Sequence, residues 1–179
     1  MMEEIKRLKR ELKYEGVVVD IYSDTVALPN GNTAHWDFIH HDGAAAVVPV
    51  RSDGKILMVR QYRNALDRAT LEIPAGKVDS PDEPKIECAR RELEEETGYR
   101  CETLEYLISV NTTVALCDEL IEIYVATDLT AIGQHLDEDE FVDVEACELE
   151  DLCRMIYAGE MRDSKTVAAI LAYKDKYGK

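Results

Sequence analysis

The sequence is short of positive charge. Its 179 residues include 21 lysines and arginines against 37 aspartates and glutamates, which gives a formal net charge of −16 and a pI near 4.6. A surface with this balance repels nucleic acid and anionic membranes. We therefore expect neither as a partner, and we expect any phosphate-bearing ligand to need a bound cation as an intermediary.

Long hydrophobic runs are also missing. Apolar residues make up 46% of the chain and the mean hydropathy is −0.28. This composition is too apolar for a disordered polyacid and too interrupted by charge for a membrane protein. The length fits one domain of ordinary size, or a small domain with an appendage, so we expect a soluble globular protein.

Cysteines in a C-x-x-C pair are absent as well, and we expect no secretory leader. The five cysteines are odd in number and form no C-x-x-C pair, which argues against a disulfide framework and a zinc ribbon. Residues 1–16 are charged throughout and lack the apolar core of a secretory signal. We therefore expect a cytoplasmic protein.

The N-terminal part of the chain is predicted to be β-rich. Residues 3–13 have the charge pattern of a short helix, and residues 16–41 alternate apolar and polar side chains around the turn Pro29-Asn30-Gly31. We predict two or three antiparallel strands, with a domain boundary near Asp42-Gly43. Because so small an element does not easily stabilise itself, we expect residues 1–42 to pack against a second copy in a homodimer.

Residues 43–179 are predicted to form the main α/β domain. Residues 43–50 and 55–62 have the pattern of a hairpin whose first strand is buried on both faces. Helices placed before, between and after strands predict an α/β/α sandwich with a mixed sheet. The remaining predicted elements are a helix at 84–97, strands at 103–112, 119–127 and 141–147, and helices at 149–158 and 164–177, the last capped by Asp163 or Ser164.

The helix at 84–97 concentrates acidic residues on one side. At about 100° per residue, Glu92, Glu95 and Glu96 share an arc about 100° wide. Glu87 and Glu94 point away from that arc and are expected to be solvated. An isolated run of glutamates is usually only a solvated helix face, so the neighbouring sequence has to decide its meaning.

Several neighbours suit a cation on this face. Like charges on adjacent turns repel each other, and a hard divalent ion such as Mg²⁺ or Mn²⁺ prefers their oxygens. Arg91 is placed to pair with an adjacent carboxylate, and Gly98 is placed to end the helix with a left-handed residue. At the bend Pro74-Ala75-Gly76, a bare backbone carbonyl can approach a metal.

The stretch from Gly76 to Tyr99 reads G-x6-E-x7-R-E-L-x-E-E-x-G-Y and resembles the Nudix hydrolase signature, G-x5-E-x7-R-E-U-x-E-E-x-G-U, with U bulky and apolar. One extra residue separates Gly76 from Glu83, so either Asp82 or Glu83 can fill the first acidic position. Segments 60–63, 71–77, 136–141 and 163–166 further resemble the ADP-ribose pyrophosphatase branch of that family.

The resemblance implies a Nudix-type fold and a metal-dependent hydrolysis of ADP-ribose to AMP and ribose 5-phosphate. It implies Mg²⁺ as the cofactor, with Mn²⁺ as a substitute, and it places Arg91 and Glu95 among the catalytic residues. A loop glutamate, either Glu138 or Glu140, is implied to position or deprotonate the attacking water. The implied metal ligands are Glu92, Glu95, Glu96 and the carbonyl of Ala75.

The resemblance also implies residues that contact the substrate. Arg63 matches an arginine that contacts the diphosphate, and Glu119 matches a glutamate before a later strand. Trp36 could stack on an adenine across a dimer interface, or it could be a rim residue of the N-terminal hairpin. The branch usually carries a proline where this chain has Ala115, so another nucleoside diphosphate derivative remains an alternative substrate. A nucleotide sensor without turnover is a further alternative.

Overall fold

The computed structural model describes residues 4–136 and 141–178. It divides the chain into two compact units. The N-terminal unit comprises Met1–Gly43 together with Asn111–Leu120, and the main unit comprises Ala44–Val110 together with Ile121–Lys179. The segment Asn111–Leu120 thus belongs with the N-terminal residues, although it lies far from them in sequence.

The N-terminal unit contains a three-stranded antiparallel sheet. Its strands are β1 (Lys6–Glu15), β2 (Asp20–Ala27) and β3 (Thr33–His40), arranged in the order β1-β2-β3. The turn between β2 and β3 is closed by a 3.0 Å hydrogen bond from the Gly31 amide to the Leu28 carbonyl. Gly31 has a φ of 85°, which glycine adopts without steric cost.

The predicted helix at 3–13 was wrong, because Lys6–Glu15 form the strand β1. Leu8 and Leu12 are four residues apart, a spacing that fits one face of a helix and also one face of a strand. Pairing with the next strand decides between the two. β1 pairs with β2 from Lys6 to Glu15, and the Arg10 Nε donates a 2.7 Å hydrogen bond to Asp24 Oδ1 on β2.

The segment Asn111–Leu120 is attached to the end of β3. The Ile39 amide donates to the Leu116 carbonyl at 2.7 Å, and the Asp118 amide donates to the Ile39 carbonyl at 3.2 Å. His40 Nδ1 lies 2.8 Å from Asp118 Oδ2. These bonds account for the assignment of the segment to the N-terminal unit.

The main unit contains a four-stranded mixed sheet in the order β7-β4-β9-β8. β4 runs parallel to β9 and antiparallel to β7. All six residues of β4 are buried, as predicted for a strand covered on both faces. The bounds are β4 (Ala44–Pro49), β7 (Ala75–Lys77), β8 (Tyr99–Asn111) and β9 (Leu120–Ala131).

A second, antiparallel sheet has the order β10-β5-β6. Its strands are β5 (Ile56–Arg63), β6 (Arg68–Glu72) and β10 (Val142–Cys147), with a 3₁₀ turn at Asn64–Leu66 between β5 and β6. The predicted hairpin of residues 43–50 and 55–62 was therefore wrong. A tight turn does connect β4 to β5, but each strand pairs with other partners, and only the bridge Val50↔Ile56 joins them within the described residues.

Three helices cover the four-stranded sheet: α1 (Lys85–Thr97), α2 (Leu149–Tyr157) and α3 (Ser164–Tyr177). Val47 of β4 packs in a cluster with Leu93 of α1, whereas Val48 packs in a second cluster with Leu152 of α2 and Ile170 of α3. Helices on both faces of a mixed sheet confirm the predicted α/β/α sandwich. Within the described part of the chain, no helix is long and apolar enough to cross a membrane.

Candidate functional site

Helix α1 provides most of the candidate site. It begins after Pro84 and ends at Gly98, whose φ of 72° is left-handed and whose amide donates to the Glu94 carbonyl. A Cβ at Gly98 would overlap the backbone of Gly133 and Gln134. Both the left-handed conformation and this close approach therefore require glycine at the end of the helix.

The acidic residues of α1 differ in burial. Glu92 and Glu96 are 8% and 4% exposed, whereas the Glu95 side chain is 40% exposed. Glu87 is exposed, and Glu94 pairs with Arg100 at 2.9 Å near the surface. The two buried carboxylates lie one turn apart, as their spacing on the helix requires.

Both buried carboxylates face the backbone of the segment Ala75–Gly76. The Ala75 amide donates a 2.9 Å hydrogen bond to Glu96 Oε2. A Cβ on residue 76 would overlap the Glu92 carboxylate, so the missing side chain of Gly76 makes room for that acid. The structure thus brings together Ala75, Glu92 and Glu96, three of the predicted metal ligands.

Arg91 connects the acids around the start of the site. Its Nη1 donates to Glu92 Oε1 at 2.7 Å and to Glu95 Oε2 at 3.0 Å, and its Nη2 donates to the Lys77 carbonyl at 3.0 Å. Burial acts to lower the pKa of Arg91, but hydrogen bonds to Glu83 and Glu92 raise it above its ordinary value. Arg91 therefore carries a permanent positive charge among four carboxylates. They belong to Glu83, Glu92, Glu95 and Asp79, the last of which lies 3.3 Å from Arg91 Nε.

Of the two candidates for the first acidic position of the motif, Glu83 is the one that contacts Arg91. Its Oε2 accepts a 2.8 Å hydrogen bond from the Asp79 amide, and its Oε1 lies 3.3 Å from Arg91 Nε. Burial raises the pKa of Glu83, but the Asp79 amide and Arg91 outweigh burial and lower it. Asp82, the alternative from the sequence, is exposed.

The donors present fit a hard divalent cation. Two buried carboxylates and a neighbouring backbone carbonyl are the oxygen ligands that such an ion prefers. Within the described residues, no three side chains of histidine, cysteine, aspartate or glutamate lie close enough together to hold a metal ion. Glu95, the third predicted carboxylate, is more exposed than the two buried ones and, like Glu92, is bonded to Arg91. The predicted loop glutamates Glu138 and Glu140 lie in 137–140, outside the described residues.

Arg63, the residue predicted to contact a diphosphate, ends β5 and is fixed by Glu72. Its Nε and Nη2 donate to the two oxygens of Glu72 at 2.8 and 2.7 Å, while its side chain stays 39% exposed. Glu72 is buried and also contacts Lys165 Nζ. Burial acts to raise the pKa of Glu72, but Arg63 and Lys165 lower it to about 2. The pair is therefore fully ionised at neutral pH.

Lys165 links this arginine to the start of α3. Its Nζ donates to Asp163 Oδ2 at 2.9 Å, and Thr166 Oγ1 accepts a 3.0 Å hydrogen bond from the Ile73 amide. Both Lys165 and Thr166 are buried. The segments 71–77 and 163–166 resemble the family, but the sequence alone assigned no role to Glu72, Lys165 or Thr166. A buried charge between apolar neighbours, as in Leu71-Glu72-Ile73, was the available signal.

Gln134 and His135, which precede residues 137–140, are hydrogen-bonded to the last turn of α1. Gln134 Nε2 donates to the Glu96 carbonyl at 2.6 Å, and the His135 amide donates to the Glu95 carbonyl at 3.2 Å. Sequence reasoning missed these contacts, and no local pattern around Gln134 indicates them.

Trp36 and Glu119 lie in the N-terminal unit. Trp36 is on β3 and is 47% exposed. Glu119 Oε2 accepts a 2.6 Å hydrogen bond from Thr112 Oγ1, and its Oε1 lies 3.6 Å from His41 Nε2. The Glu119 side chain is thus placed by contacts within that unit.

Comparison with known proteins gives consistent matches over most of the chain. The NUDIX domain family model matches residues 40–170. A methanol dehydrogenase activator of Bacillus methanolicus is 44% identical over 171 residues, covering 93% of this chain and 91% of that protein. An ADP-ribose pyrophosphatase of Bacillus subtilis (strain 168) is 40% identical over 169 residues, covering 93% of this chain and 91% of that protein.

A solved structure shares the fold. The crystal structure of an ADP compounds hydrolase superposes with a TM-score of 0.86, covering 100% of this chain and 99% of the other. The two sequences are 20% identical, so this likeness supports the fold alone.

Proposed function

Because the chain belongs to the NUDIX hydrolase family, we propose that it hydrolyses the diphosphate bond of ADP-ribose, giving AMP and ribose 5-phosphate. Members of this family generally need a divalent metal, and we propose Mg²⁺, with Mn²⁺ as a substitute. The observation that carries the proposal is the placement of Glu92 and Glu96 against the backbone of Ala75–Gly76.

The proposed metal ligands are Glu92, Glu95, Glu96 and the Ala75 carbonyl. Mg²⁺ bound there supplies positive charge to the diphosphate and lowers the pKa of a bound water. Arg91 holds the carboxylates of Glu92 and Glu95 in place and offsets part of their mutual repulsion. We propose Glu138 or Glu140 as the group that receives the proton of the attacking water.

Arg63 is proposed to bind the diphosphate. Glu72 takes up its Nε and Nη2, which fixes the plane of the guanidinium while part of the side chain remains exposed. Lys165 balances the charge of Glu72, so the buried group as a whole does not repel an anion. A fixed guanidinium stabilises negative charge that develops as the diphosphate is cleaved.

Trp36 and Glu119 are proposed as further contacts with the substrate. Trp36 is the only tryptophan of the chain, so its fluorescence reports on its own surroundings alone. Titration with AMP should quench that emission if an adenine stacks on the ring. Unchanged emission at saturating AMP would remove Trp36 from the proposed site.

We further propose a homodimer formed through residues 1–42. β1 is an edge strand of its sheet, and Leu8, Leu12 and Tyr14 on it are each about half exposed. Unpaired edge strands that carry apolar side chains favour association. A second copy of the chain is the simplest partner for this surface.

We also propose a cytoplasmic location, with no nucleic acid or membrane partner. All five cysteines are free in the structure, which suits a reducing compartment. The net charge of −16 opposes binding to polyanions.

The test of the proposed substrate is a panel of diphosphate compounds at equal concentration with Mg²⁺. ADP-ribose, a sugar nucleotide and a nicotinamide dinucleotide are each incubated with the purified protein, and products are separated by chromatography. The proposal predicts the highest kcat/KM for ADP-ribose. A higher kcat/KM for another compound would make that compound the proposed substrate, with the same hydrolysis of a diphosphate bond.

The alternative substrate is favoured by one observation. The stretch Asn111–Leu120 contains no proline, although the ADP-ribose branch usually has one there. Binding of ADP-ribose without any turnover would instead favour the sensor.

A further inference from the structure

A cavity of about 600 Å³ lies in the main unit between the β5–β6 hairpin and the loop that joins α2 to α3. Its lining residues come only from 60–72 and 155–165. The acids of α1 do not take part in it, so the cavity is separate from the proposed metal site. Arg63, the proposed contact for the diphosphate, also lines the cavity.

The cavity is basic, although the protein is strongly acidic. Four arginines and one lysine line it, against three acidic residues. The basic residues are Arg60, Arg63, Arg68, Arg162 and Lys165, and the acidic ones are Glu72, Glu160 and Asp163. In a chain with a formal charge of −16, a local excess of positive charge marks a place where an anion can bind.

Two of these arginines are available for a ligand. Arg60 is bonded to Glu145, and Arg63 is bonded to Glu72. Arg68 and Arg162 form no ion pair with any described residue, and the one hydrogen bond of Arg162 is a 2.7 Å bond from its Nε to the Gly159 carbonyl. Their guanidinium groups come from opposite walls, one from the hairpin and one from the loop.

The rest of the cavity contains a buried ion pair and apolar side chains. The side chains of Lys165 and Glu72 are 9% and 3% exposed and contact each other. Leu71, Met155 and Met161 provide apolar surface beside them. The cavity thus combines two arginines available for a ligand, a buried ion pair and an apolar wall. This is the usual composition of a small-molecule site.

We propose that this cavity binds a phosphomonoester, namely a sugar phosphate or a nucleoside monophosphate, with Arg68 and Arg162 on the phosphate. Guanidinium groups match phosphate oxygens with two parallel hydrogen bonds, and two of them balance a dianion. The apolar wall accommodates the sugar or base. The volume of about 600 Å³ is in the range of sites for ligands of this size.

Arg63 gives the site a connection to the reaction, and this step rests on the proposed function. Its guanidinium lines the cavity and is also the proposed contact for the diphosphate. A phosphate held beside it competes with Glu72 for its hydrogen bonds. Occupancy of the cavity therefore changes the KM for ADP-ribose.

Isothermal titration calorimetry on the full chain tests the binding, with EDTA present to suppress metal-dependent binding. The probes are ribose 5-phosphate, AMP and inorganic phosphate. The test variant is Arg68→Gln with Arg162→Gln. The control variant is Arg51→Gln with Arg154→Gln, which removes the same charge from two exposed arginines that do not line the cavity.

The proposal predicts that at least one of the two phosphomonoesters binds the wild type, and that the test variant weakens its binding by about tenfold or more. The control variant should bind as the wild type does. Equal weakening in both variants, or equal affinity for inorganic phosphate and both phosphomonoesters, would overturn the proposal, as would no binding to the wild type.

Hydrolysis separates this proposal from the proposed function. Without added phosphomonoester, the test variant should hydrolyse ADP-ribose at the wild-type rate, because Arg68 and Arg162 do not belong to the metal site. If ADP-ribose is not hydrolysed at all, the calorimetry still decides whether the cavity binds a phosphomonoester.

Discussion

The backbone amide of Ala75 donates a 2.9 Å hydrogen bond to Oε2 of Glu96. This bond fixes the strand that carries the Ala75 carbonyl against the helix that carries the acids. Glu92, one turn earlier, occupies the space beside Gly76. Three proposed ligands from two elements are thus held in one arrangement before any ion binds, which is the condition for a precise metal site.

The space beside Gly76 leads to the first prediction. Gly76→Ala places a Cβ onto the Glu92 carboxylate, so that acid must move. We expect kcat/KM for ADP-ribose to fall by about 100-fold, because a displacement of about 1 Å in an active site has this order of effect. Steady-state kinetics measures the loss of activity, and a thermal melt measures any loss of stability separately.

The matched control is Gly54→Ala. Gly54 has a φ of 85° and open space around its Cβ position, so the change strains the backbone without a clash. It should lower stability by about 1 kcal/mol and leave kinetics unchanged. If both variants lose activity equally, the clash with Glu92 is not the cause.

The second prediction compares two acids on the same helix. Glu96→Gln removes a buried charge next to Ala75 and should lower kcat by about 100-fold at saturating Mg²⁺. Glu94→Gln alters an acid that pairs with Arg100 near the surface and should be nearly silent. Circular dichroism checks that both variants fold. Similar kinetics in the two would contradict the assignment of the buried face.

The third prediction concerns acid stability. The pKa of Glu72 is about 2 in the folded chain, below its ordinary value of 4.5, mainly because Arg63 and Lys165 outweigh burial. A lowered pKa stabilises the fold above about pH 4.5, and this contribution is lost as the pH falls toward 2. Glu72→Gln should therefore lower the free energy of unfolding by about 3 kcal/mol at pH 7.

Urea unfolding at pH 7, 4.5 and 3 tests this dependence. The difference between wild type and Glu72→Gln should shrink at pH 3. Glu145→Gln is the control, because Glu145 makes a similar pair with Arg60 but is 40% exposed and should contribute less than about 1 kcal/mol. A constant difference across this pH range would show that Glu72 acts through packing rather than charge.

The fourth prediction concerns the exposed edge of the N-terminal unit. Leu8→Lys with Leu12→Lys puts charge on β1 and should convert a homodimer of about 40 kDa to the 20.3 kDa chain in light scattering. Tyr157→Lys, an exposed apolar residue of α2, is the control and should leave the mass unchanged. A wild-type mass near that of one chain would refute the homodimer.

The sequence predicted α1, α2 and α3 closely, although the helix expected at 3–13 is a strand. The helix expected at 84–97 is found at Lys85–Thr97, because a helical repeat of apolar residues and a terminal Gly98 define it locally. The buried strand β4 was also predicted from local sequence, because a continuous apolar run indicates a buried strand whatever its partners are.

Pairing between strands explains what could not be predicted. The separate sheets of β4 and β5 depend on partners that are distant in sequence, and β1 is a strand because it pairs with β2. The same holds for the site. Glu72 and Lys165 are 93 residues apart, so no local pattern relates them, whereas Glu92 and Glu96 share a helix and their common face follows from the helical repeat.

The most direct test of the account is ³¹P NMR of ADP-ribose incubated with the purified chain, first with millimolar Mg²⁺ and then with excess EDTA. The account predicts signals of AMP and ribose 5-phosphate with Mg²⁺, and an intact diphosphate in EDTA. Undiminished cleavage in EDTA, or an intact diphosphate in both samples, would contradict it.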